Sequence, residues 1–583
     1  MKNKYTLILV AVLLVNITGA VLVQQVEAKV EKPLFTLYYL LDSTDTTALE
    51  IGELLKASLA EAGIEIIIES VDATTYMSRT ISQAGPKILT HTEGGFDIGQ
   101  MAYVQIPSDM IWYVGCFHSN GINPLGWNYW AMQSGIADRY LMDALSTYNT
   151  SERLDAIYKW QDFINEDANV VYLYHSTIPY LQDGRLKNFY PNLLSYDSDE
   201  WTMEGYTETD DVTVTQSFPY DQPMWNPLFL NGGYTTLNEL YRTMWRVVYN
   251  EESGYTTGPE LAYDSKISGD GLTIDFYLRD DIYFHDGVQL TSKDVVWTYE
   301  AILDPNTGAT FHSDFSAAVS SVEALDNSTV RLHLSKISPE IYTLLSTYNT
   351  AILPEHIFGK IAHEALRTHP TNTEEPAPGT GPFVFKKWVR DSYISFDAYD
   401  NYFRGRPFVD HIITTIIPEA ATALAALEAG EVTKMETGQI KDNIVEIDRI
   451  KKERPEINMD YFVVAEYSFL ALNNEHPILN NKFVRQAISY LVPYDDIINT
   501  VLKGNAVPSS SFVAPTFWWF NKDTPYYEHD LAKAKELLAK AGYPEWPPPK
   551  EVVPDTTTPM IYGAIPGLAI GAIVAYVLLK RRT

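Results

Sequence analysis

The chain has 583 residues, of which 75 are acidic and 43 are basic, giving a formal net charge of −32. This excess of negative charge argues against a nucleic-acid partner, because phosphate backbones attract cationic surfaces. The single cysteine, Cys116, excludes an intrachain disulfide, and the apolar content of 46% allows the cores of two or three domains.

The first 28 residues have the pattern of a signal peptide. Lys2 and Lys4 precede an apolar run over 5–15, a second apolar stretch follows at 20–23, and small residues at 26–28 offer a cleavage site. The alternative is that the segment stays attached as an uncleaved membrane anchor.

The next elements predict a strand, a helix and a second strand. Residues 34–40 form an apolar strand candidate, a helical pattern begins at Thr46 and stops before Gly63, and a second strand follows at 64–69. A helix between two strands is typical of a parallel crossover. Further on, the pattern predicts a strand at 96–99, a helix over 151–163 and a strand over 170–175.

The segment 272–303 has the strongest local pattern in the chain. Apolar and polar residues alternate over 272–279, which is the period of a half-buried strand. After a turn, Thr291 is predicted to cap a helix, with Asp294 at the capping-box spacing. We interpret His285 and Asp286 as turn residues, because two adjacent residues without a third ligand make no metal site.

The C-terminal end predicts a tether. A helix over 530–541 is followed by a Pro- and Thr-rich stalk at 544–560, and then by nineteen uncharged residues at 561–579, about the length that spans a bilayer. The basic residues at 580–582 favour a cytoplasmic C-terminus and place the middle of the chain outside the membrane. The sequons at Asn149 and Asn327 then become glycosylation candidates.

The signature at 272–299 closely resembles that of solute-binding protein family 5, the oligopeptide-, dipeptide- and nickel-type receptors of ABC importers. Similar segments occur at 379–383, 420–430, 483–488 and 530–541. The resemblance implies an α/β, two-lobed, periplasmic-binding-protein-like clamshell (type II, cluster C-like) with mixed sheets, here with one C-terminal transmembrane helix. It also implies a monomeric receptor without cofactor or catalytic activity, which passes a small-molecule ligand to the transmembrane subunits of an ABC permease.

The mode of attachment differs from that of bacterial members. Those carry an N-terminal lipid on a cysteine, whereas Cys116 lies far from the predicted cleavage site. The C-terminal helix would replace the lipid, an arrangement common among archaeal binding proteins, and the inference of an archaeal source rests on that analogy.

The order of the segments is unusual for the family. Residues 34–174 resemble the C-terminal third of ordinary members, whereas the N-terminal two-thirds follow from Val212. We interpret this order as a circular permutation, in which Tyr543 would run on into Leu34 and the acidic connection 196–211 would join the usual termini. The alternative is a fusion of fragments from two receptors, each of which pairs with a partner elsewhere.

This interpretation predicts the lobes. The first lobe would cover 175–450, with an inserted subdomain at about 245–375, and the second would combine 34–174 with 451–543. The chain would cross between the lobes near 170–175 and 453–464, so both predicted membrane segments would attach to the second lobe.

No motif for catalysis or metal binding stands out. The sequence has no HExxH, no Gly-x-Ser-x-Gly, no phosphate-binding loop and no paired-cysteine spacing. The competing functions are a secreted hydrolase, or a surface-structural or signalling protein that uses a degenerate receptor fold.

Aromatic residues in predicted loops are the candidate ligand contacts, since aromatic rings suit both peptide side chains and sugar rings. The alternative for each is ordinary core packing. Peptide-binding members carry an acid a few residues after the segment that matches 96–103, where it binds the amino end of the peptide, and by this analogy Asp109 is a further candidate. If Asp109 takes that role the ligand is an oligopeptide or dipeptide, and otherwise the loops favour a neutral oligosaccharide. The aromatic candidates are Trp112, Trp127, Trp225, Tyr234, Tyr467, Trp518 and Trp519.

Overall fold

The structure, a computed structural model, describes residues 30, 32–83, 87–104, 111–122, 126–184, 212–230, 236–250, 254–435, 444–544 and 546. The predicted signal peptide, nearly all of the stalk and the predicted transmembrane segment lie outside the described residues. The strands are β1 (Phe35–Asp42), β2 (Ile64–Val71), β3 (Ile98–Val104), β4 (Val170–Gln182), β5 (Thr213–Phe218), β6 (Trp245–Asn250), β7 (Gly254–Pro259), β8 (Ala262–Ile267), β9 (Thr273–Leu278), β10 (Val319–Asp326), β11 (Thr329–Leu334), β12 (Phe383–Val389), β13 (Tyr393–Ala398), β14 (His411–Ile416), β15 (Lys434–Met435), β16 (Asn458–Leu472) and β17 (Ala506–Pro508).

The helices lie between and around these strands. They are α1 (Thr46–Ala60), α2 (Ala73–Arg79), α3 (Ile111–Phe117), α4 (Gly135–Leu145), α5 (Thr150–Asp167), α6 (Thr236–Leu240), α7 (Ser292–Leu303), α8 (His312–Ala318), α9 (Ile341–Leu344), α10 (Glu355–Phe358), α11 (Ala420–Glu428), α12 (Ile444–Glu453), α13 (Lys482–Ser489), α14 (Tyr494–Asp496) and α15 (Leu531–Lys540).

One sheet joins the front and the back of the chain. Across the described residues its strand order is β12-β13-β14-β5-β15-β4-β16-β3-β1-β2, with β17 also paired to β4. In the middle of this sheet, β4 from before residue 185 lies between β15 and β16 from after residue 212, and β16 in turn lies between β4 and β3. A separate four-stranded sheet, β10-β11-β9-β8, and the hairpin of β6 and β7 belong to the predicted inserted subdomain.

The predicted strand–helix–strand unit is confirmed. β1 pairs in parallel with β2 from Phe35 opposite Ile64 to Asp42 opposite Val71. The intervening helix α1 begins where the Asp45 carboxylate accepts a hydrogen bond from the amide of Ala48, 2.8 Å away. The helix ends at Ala60, and Gly63 follows with a φ of 83°, in the left-handed region that suits glycine.

The signature segment also folds as predicted. Thr291 and Asp294 form the capping box at the start of α7. The turn before it does more than reverse the chain, since Nε2 of His285 donates to the carbonyl oxygen of Gly381, 3.0 Å away, and Nδ1 accepts from the amide of Gly379. His285 thus joins the signature to the glycine-rich segment at 379–383.

Two groups of buried side chains define two lobes. The largest core takes its residues from 212–412, and we call this part, with the small core beneath α11 and α12, the first lobe. The other two cores each combine residues before 175 with residues after 466, and we call this part the second lobe. In the second lobe, Phe512 is fully buried and its ring lies 4.5 Å from that of Phe117 and 5.0 Å from that of Tyr172.

Candidate functional site

The two lobes are connected by a pair of long strands. β4 and β16 pair in antiparallel fashion from Asn458 opposite Gln182 to Ala471 opposite Val170, longer than the predicted crossings at 170–175 and 453–464. In the first lobe β4 also pairs with β15, and in the second lobe it also pairs with β17. The register shifts between Val463 and Tyr467, a bulge that locally weakens and bends a ladder. We call this strand pair the hinge.

Strand directions on either side of the hinge predict a cleft between the lobes. In the first lobe β5 and β14 are parallel to β16, so their carboxyl ends at Phe218 and Ile416 point toward the second lobe. In the second lobe β3 is antiparallel to β16 and parallel to β1, so the carboxyl ends of both point toward the first lobe. Loops at the carboxyl ends of strands are where open α/β sheets bind ligands.

A cluster of aromatic rings lies in the second lobe at the level of the bulge, and most of it is buried. Tyr103, near the end of β3, lies opposite Tyr467, and its ring is 6.1 Å from that of Tyr467 and 5.4 Å from that of Phe469. The rings of Trp127 and Tyr129 lie 6.2 and 6.5 Å from that of Tyr103. We call these five residues the aromatic wall. Trp127 is its accessible face, with 45% of its surface exposed.

Three carboxylates lie near the aromatic phenols of this region: Asp42 at the end of β1, Asp45 just after it, and Glu466 on the hinge strand β16. The pKa of Tyr174 is raised to about 12, mainly by burial; a hydrogen bond with Ser468 opposes the increase, and the negative charges of Glu466 and Asp45 add to it. Burial also raises the pKa of Tyr76, to which Asp45 and Asp42 add. Asp45 therefore raises the pKa of phenols on two elements, so negative charge lies close to both of them.

A buried polar row crosses the first-lobe sheet below its cleft edge. Lys434 pairs with Gln216 on one side and Gln182 on the other, and the Gln216 amide donates to the hydroxyl of Thr414, 2.8 Å away. Lys434 is only 3% exposed. Sequence reasoning missed this row, because its members lie on separate strands that are far apart in the sequence.

The structure separates the predicted ligand contacts by burial. Trp127 is exposed and Tyr467 is buried directly behind it in the aromatic wall. Trp225 is fully buried in the first-lobe core, where its ring lies 5.2 Å from that of Trp388. Trp519 is buried in the second-lobe core and Trp518 is half-buried against it.

The remaining candidates fall into two groups. Tyr234 and Asp109 lie outside the described residues, and so does the side chain of Trp112. Both predicted glycosylation sites are exposed: Asn149 caps α5 through its side-chain oxygen, and Asn327 lies in the turn between β10 and β11.

Two features are absent from the described ranges. No group of three or more His, Cys, Asp or Glu residues in these ranges could hold a metal ion. No helix among them is both long and apolar enough to cross a membrane.

Comparison with known proteins shows related chains. Heme-binding protein A of Haemophilus influenzae is 30% identical over 326 residues, which are 52% of this chain and 58% of that protein. The oligopeptide-binding protein AppA of Bacillus subtilis is 31% identical over 285 residues, or 48% of this chain and 51% of that protein. This chain therefore spans between half and three-fifths of the length of these relatives.

Solved structures are similar over a comparable share. HbpA2 from Haemophilus parasuis has 26% identity and a TM-score of 0.48, covering 57% of this chain and 67% of that one. Residues 256–561, more than half of the chain, match the family described as bacterial extracellular solute-binding proteins, family 5 Middle. The chain belongs to solute-binding protein family 5, a family of receptors and not of enzymes.

Proposed function

We propose that this protein is the extracytoplasmic substrate-binding receptor of an ABC importer, and that it captures an oligopeptide or dipeptide in the interlobe cleft for delivery to the permease. The observation that carries the proposal is the convergence of strand ends from both lobes on an aromatic wall beside a carboxylate edge. Aromatic rings bind apolar side chains, and carboxylates bind the cationic amino end of a peptide. Family membership supports the same role.

A neutral oligosaccharide is the second candidate ligand. Trp127 favours it, because an exposed indole can stack on the C–H face of a sugar ring without requiring charge. The two ligand classes differ in the contribution of the carboxylates: a peptide uses them, whereas a neutral sugar does not.

The same proposal includes a circularly permuted clamshell. Its support is that the family match begins at residue 256, while strands before residue 185 complete the same sheet. The usual termini would be joined between the end of β4 and the start of β5. Only β15 lies between these two strands, since Lys434 pairs with Gln182 of β4 and with Gln216 of β5. A fusion of fragments from two receptors would require no such pairing within one chain.

Membrane attachment completes the proposal. The segment 561–579 would anchor the C-terminus and hold the second lobe nearest the membrane, with the protein outside the cell and Asn149 and Asn327 open to glycosylation. The archaeal source remains an analogy with this type of anchor.

A thermal-shift panel on the full-length chain tests the function. Peptides of two to nine residues, neutral oligosaccharides and nickel chelates are added in turn. A true ligand at about 100 times its dissociation constant stabilises the native state by about 2.7 kcal/mol and raises the melting temperature. Stabilisation by sugars alone selects the second candidate. No stabilisation by any member favours the structural or signalling alternative, and product formation from a peptide or glycan favours the hydrolase.

A further inference from the structure

A tyrosine of the second lobe reaches into the first lobe at a point away from the hinge. Tyr148 lies in the short loop between α4 and α5, and both helices contribute to a second-lobe core. Its ring is half-buried and packs against the core of the first lobe. It is therefore positioned by one lobe and covered by the other.

The loop that carries Tyr148 is held firmly by its own lobe. The buried Arg153 donates from Nε to the carbonyl oxygen of Ala144, 3.0 Å away, which ties the start of α5 to the end of α4. The hydroxyl of Thr147 donates to Glu152 at 2.9 Å and accepts from the amide of Asn149 at 3.1 Å. This network orders the loop independently of the first lobe, so little entropy is lost when the tyrosine docks.

The docking partners lie in two loops at one end of the four-stranded sheet. The Tyr148 hydroxyl donates to the carbonyl oxygen of Gly271, 3.2 Å away, and accepts from the amide of Ser338 at 3.3 Å. Gly271 precedes β9 and Ser338 follows β11, so neither belongs to the sheet that contains the hinge. Rotation about the hinge would separate these partners.

The absence of a side chain at Gly271 permits this approach. A Cβ atom at that position would lie 3.3 Å from Cε2 of Tyr148 and 3.2 Å from Cγ1 of Ile337. The φ of 73° at Gly271 also lies in the left-handed region, where a side chain is strained.

A second contact between the lobes involves a residue of the first lobe: Val247 of β6 packs against a second-lobe core.

We propose that Tyr148 is an interlobe latch, which stabilises the closed clamshell by joining the second lobe to the inserted subdomain of the first. The proposal rests on the receptor function, because closure over a ligand gives the latch its purpose. Tyr148 sets the ratio of closed to open protein, whereas the residues of the cleft determine which ligand binds. Since a ligand that binds the closed form gains from any prior closure, the latch raises affinity for every ligand by the same factor.

The test measures the distance between the lobes in the full-length chain. Spin labels are placed at Ile136→Cys on α4 and Leu325→Cys on β10, both exposed positions in different lobes, while the native Cys116 is buried. Distance distributions are recorded without ligand for the parent, for Tyr148→Phe and for Gly271→Ala. Tyr140→Phe is the matched control, because Tyr140 lies on α4 and packs against its own lobe.

Both latch variants should move the distribution toward longer distances. In Tyr148→Phe, loss of the two hydrogen bonds lowers the ratio of closed to open protein by about tenfold. In Gly271→Ala the added Cβ crowds the same ring, and the control keeps the parent distribution. A distribution that is unchanged in both latch variants, with parent-like melting temperatures, would overturn the proposal. So would a change of affinity confined to one ligand class, since this would make Tyr148 a ligand contact. If the receptor function is wrong, no ligand will bind. The distance measurement needs no ligand, so it tests the latch separately from the receptor function.

Discussion

The rings of Phe35 and Tyr543 lie 4.8 Å apart, although 507 residues separate them in the sequence. Phe35 opens β1 and Tyr543 follows the helix α15, and both contact the same second-lobe core. The two ends of the described chain therefore meet at one place. A circularly permuted protein requires this arrangement, because its present ends were once continuous.

Restoring the ordinary order should preserve the fold. A variant in which 212–543 is followed by 34–184, through a short linker between Tyr543 and Leu34, keeps every described strand pair of the large sheet. We expect a cooperative thermal transition within a few degrees of that of the native order, measured by circular dichroism. Separate expression of 34–184 and 212–543 as independently folded proteins would contradict the permutation and favour the fusion.

Removal of the accessible ring of the aromatic wall should weaken ligand binding. For Trp127→Ala we expect the dissociation constant of the ligand found in the thermal-shift panel to rise more than tenfold, because a large exposed stacking surface is lost. Isothermal titration calorimetry measures the change. The matched control is Tyr263→Ala, an exposed aromatic residue on β8 of the inserted subdomain. Equal affinities for parent and Trp127→Ala would remove the wall from the ligand site.

A buried ring tests whether the front and back of the chain share one core. Phe512, from the back, lies 4.7 Å from Tyr467 and packs on Phe117, Trp130 and Tyr172 from the front. Phe512→Ala should lower the free energy of unfolding by about 3–5 kcal/mol, because it leaves a cavity among these rings. Urea denaturation measures the loss.

The control for that cavity is Phe408→Ala, where the ring is 37% exposed. There the expected loss is within about 0.5 kcal/mol. Similar losses at the two positions would mean that the shared aromatic core does not exist in solution.

The hinge contains a histidine that should make stability depend on pH. His175 is fully buried on β4, its Nε2 donates to the carbonyl oxygen of Ser511 at 3.1 Å, and burial lowers its pKa to about 4. The ordinary pKa is about 6.5, so between these values the unfolded chain binds more protons than the folded one. Stability therefore falls as the pH decreases through this window, by about 2 kcal/mol from pH 7 to pH 5.

Replacement of the histidine should reduce this dependence. In His175→Gln the amide can still donate to Ser511 but does not titrate, so the difference in unfolding free energy between pH 7 and pH 5 should shrink by about 2 kcal/mol. The matched control is His333→Gln on the exposed side of β11, away from the hinge. A pH dependence identical in parent and His175→Gln would show that this histidine is accessible to protons in the folded state.

Local elements could be predicted because short-range rules determine them. The alternation over 272–279 and the capping box of Thr291 and Asp294 lead to β9 and α7 whatever the rest of the chain does. Some boundaries differ, because tertiary pairing extends an element beyond its local pattern. The strand predicted at 170–175 continues to Gln182, since β15 and β16 offer partners along the whole length.

The site needed the tertiary structure for a different reason. Trp127 and Trp225 have similar local surroundings in the sequence, yet one is exposed beside the hinge and the other is fully buried in a core. Burial depends on elements far away in the chain, and so does the contact of Tyr148 with Gly271. By itself, the sequence determined the family, the α/β class and most of the elements, since these follow from local pattern. Only the tertiary structure decided which aromatic rings are exposed and where the lobes touch, because long-range packing is not encoded in any short segment.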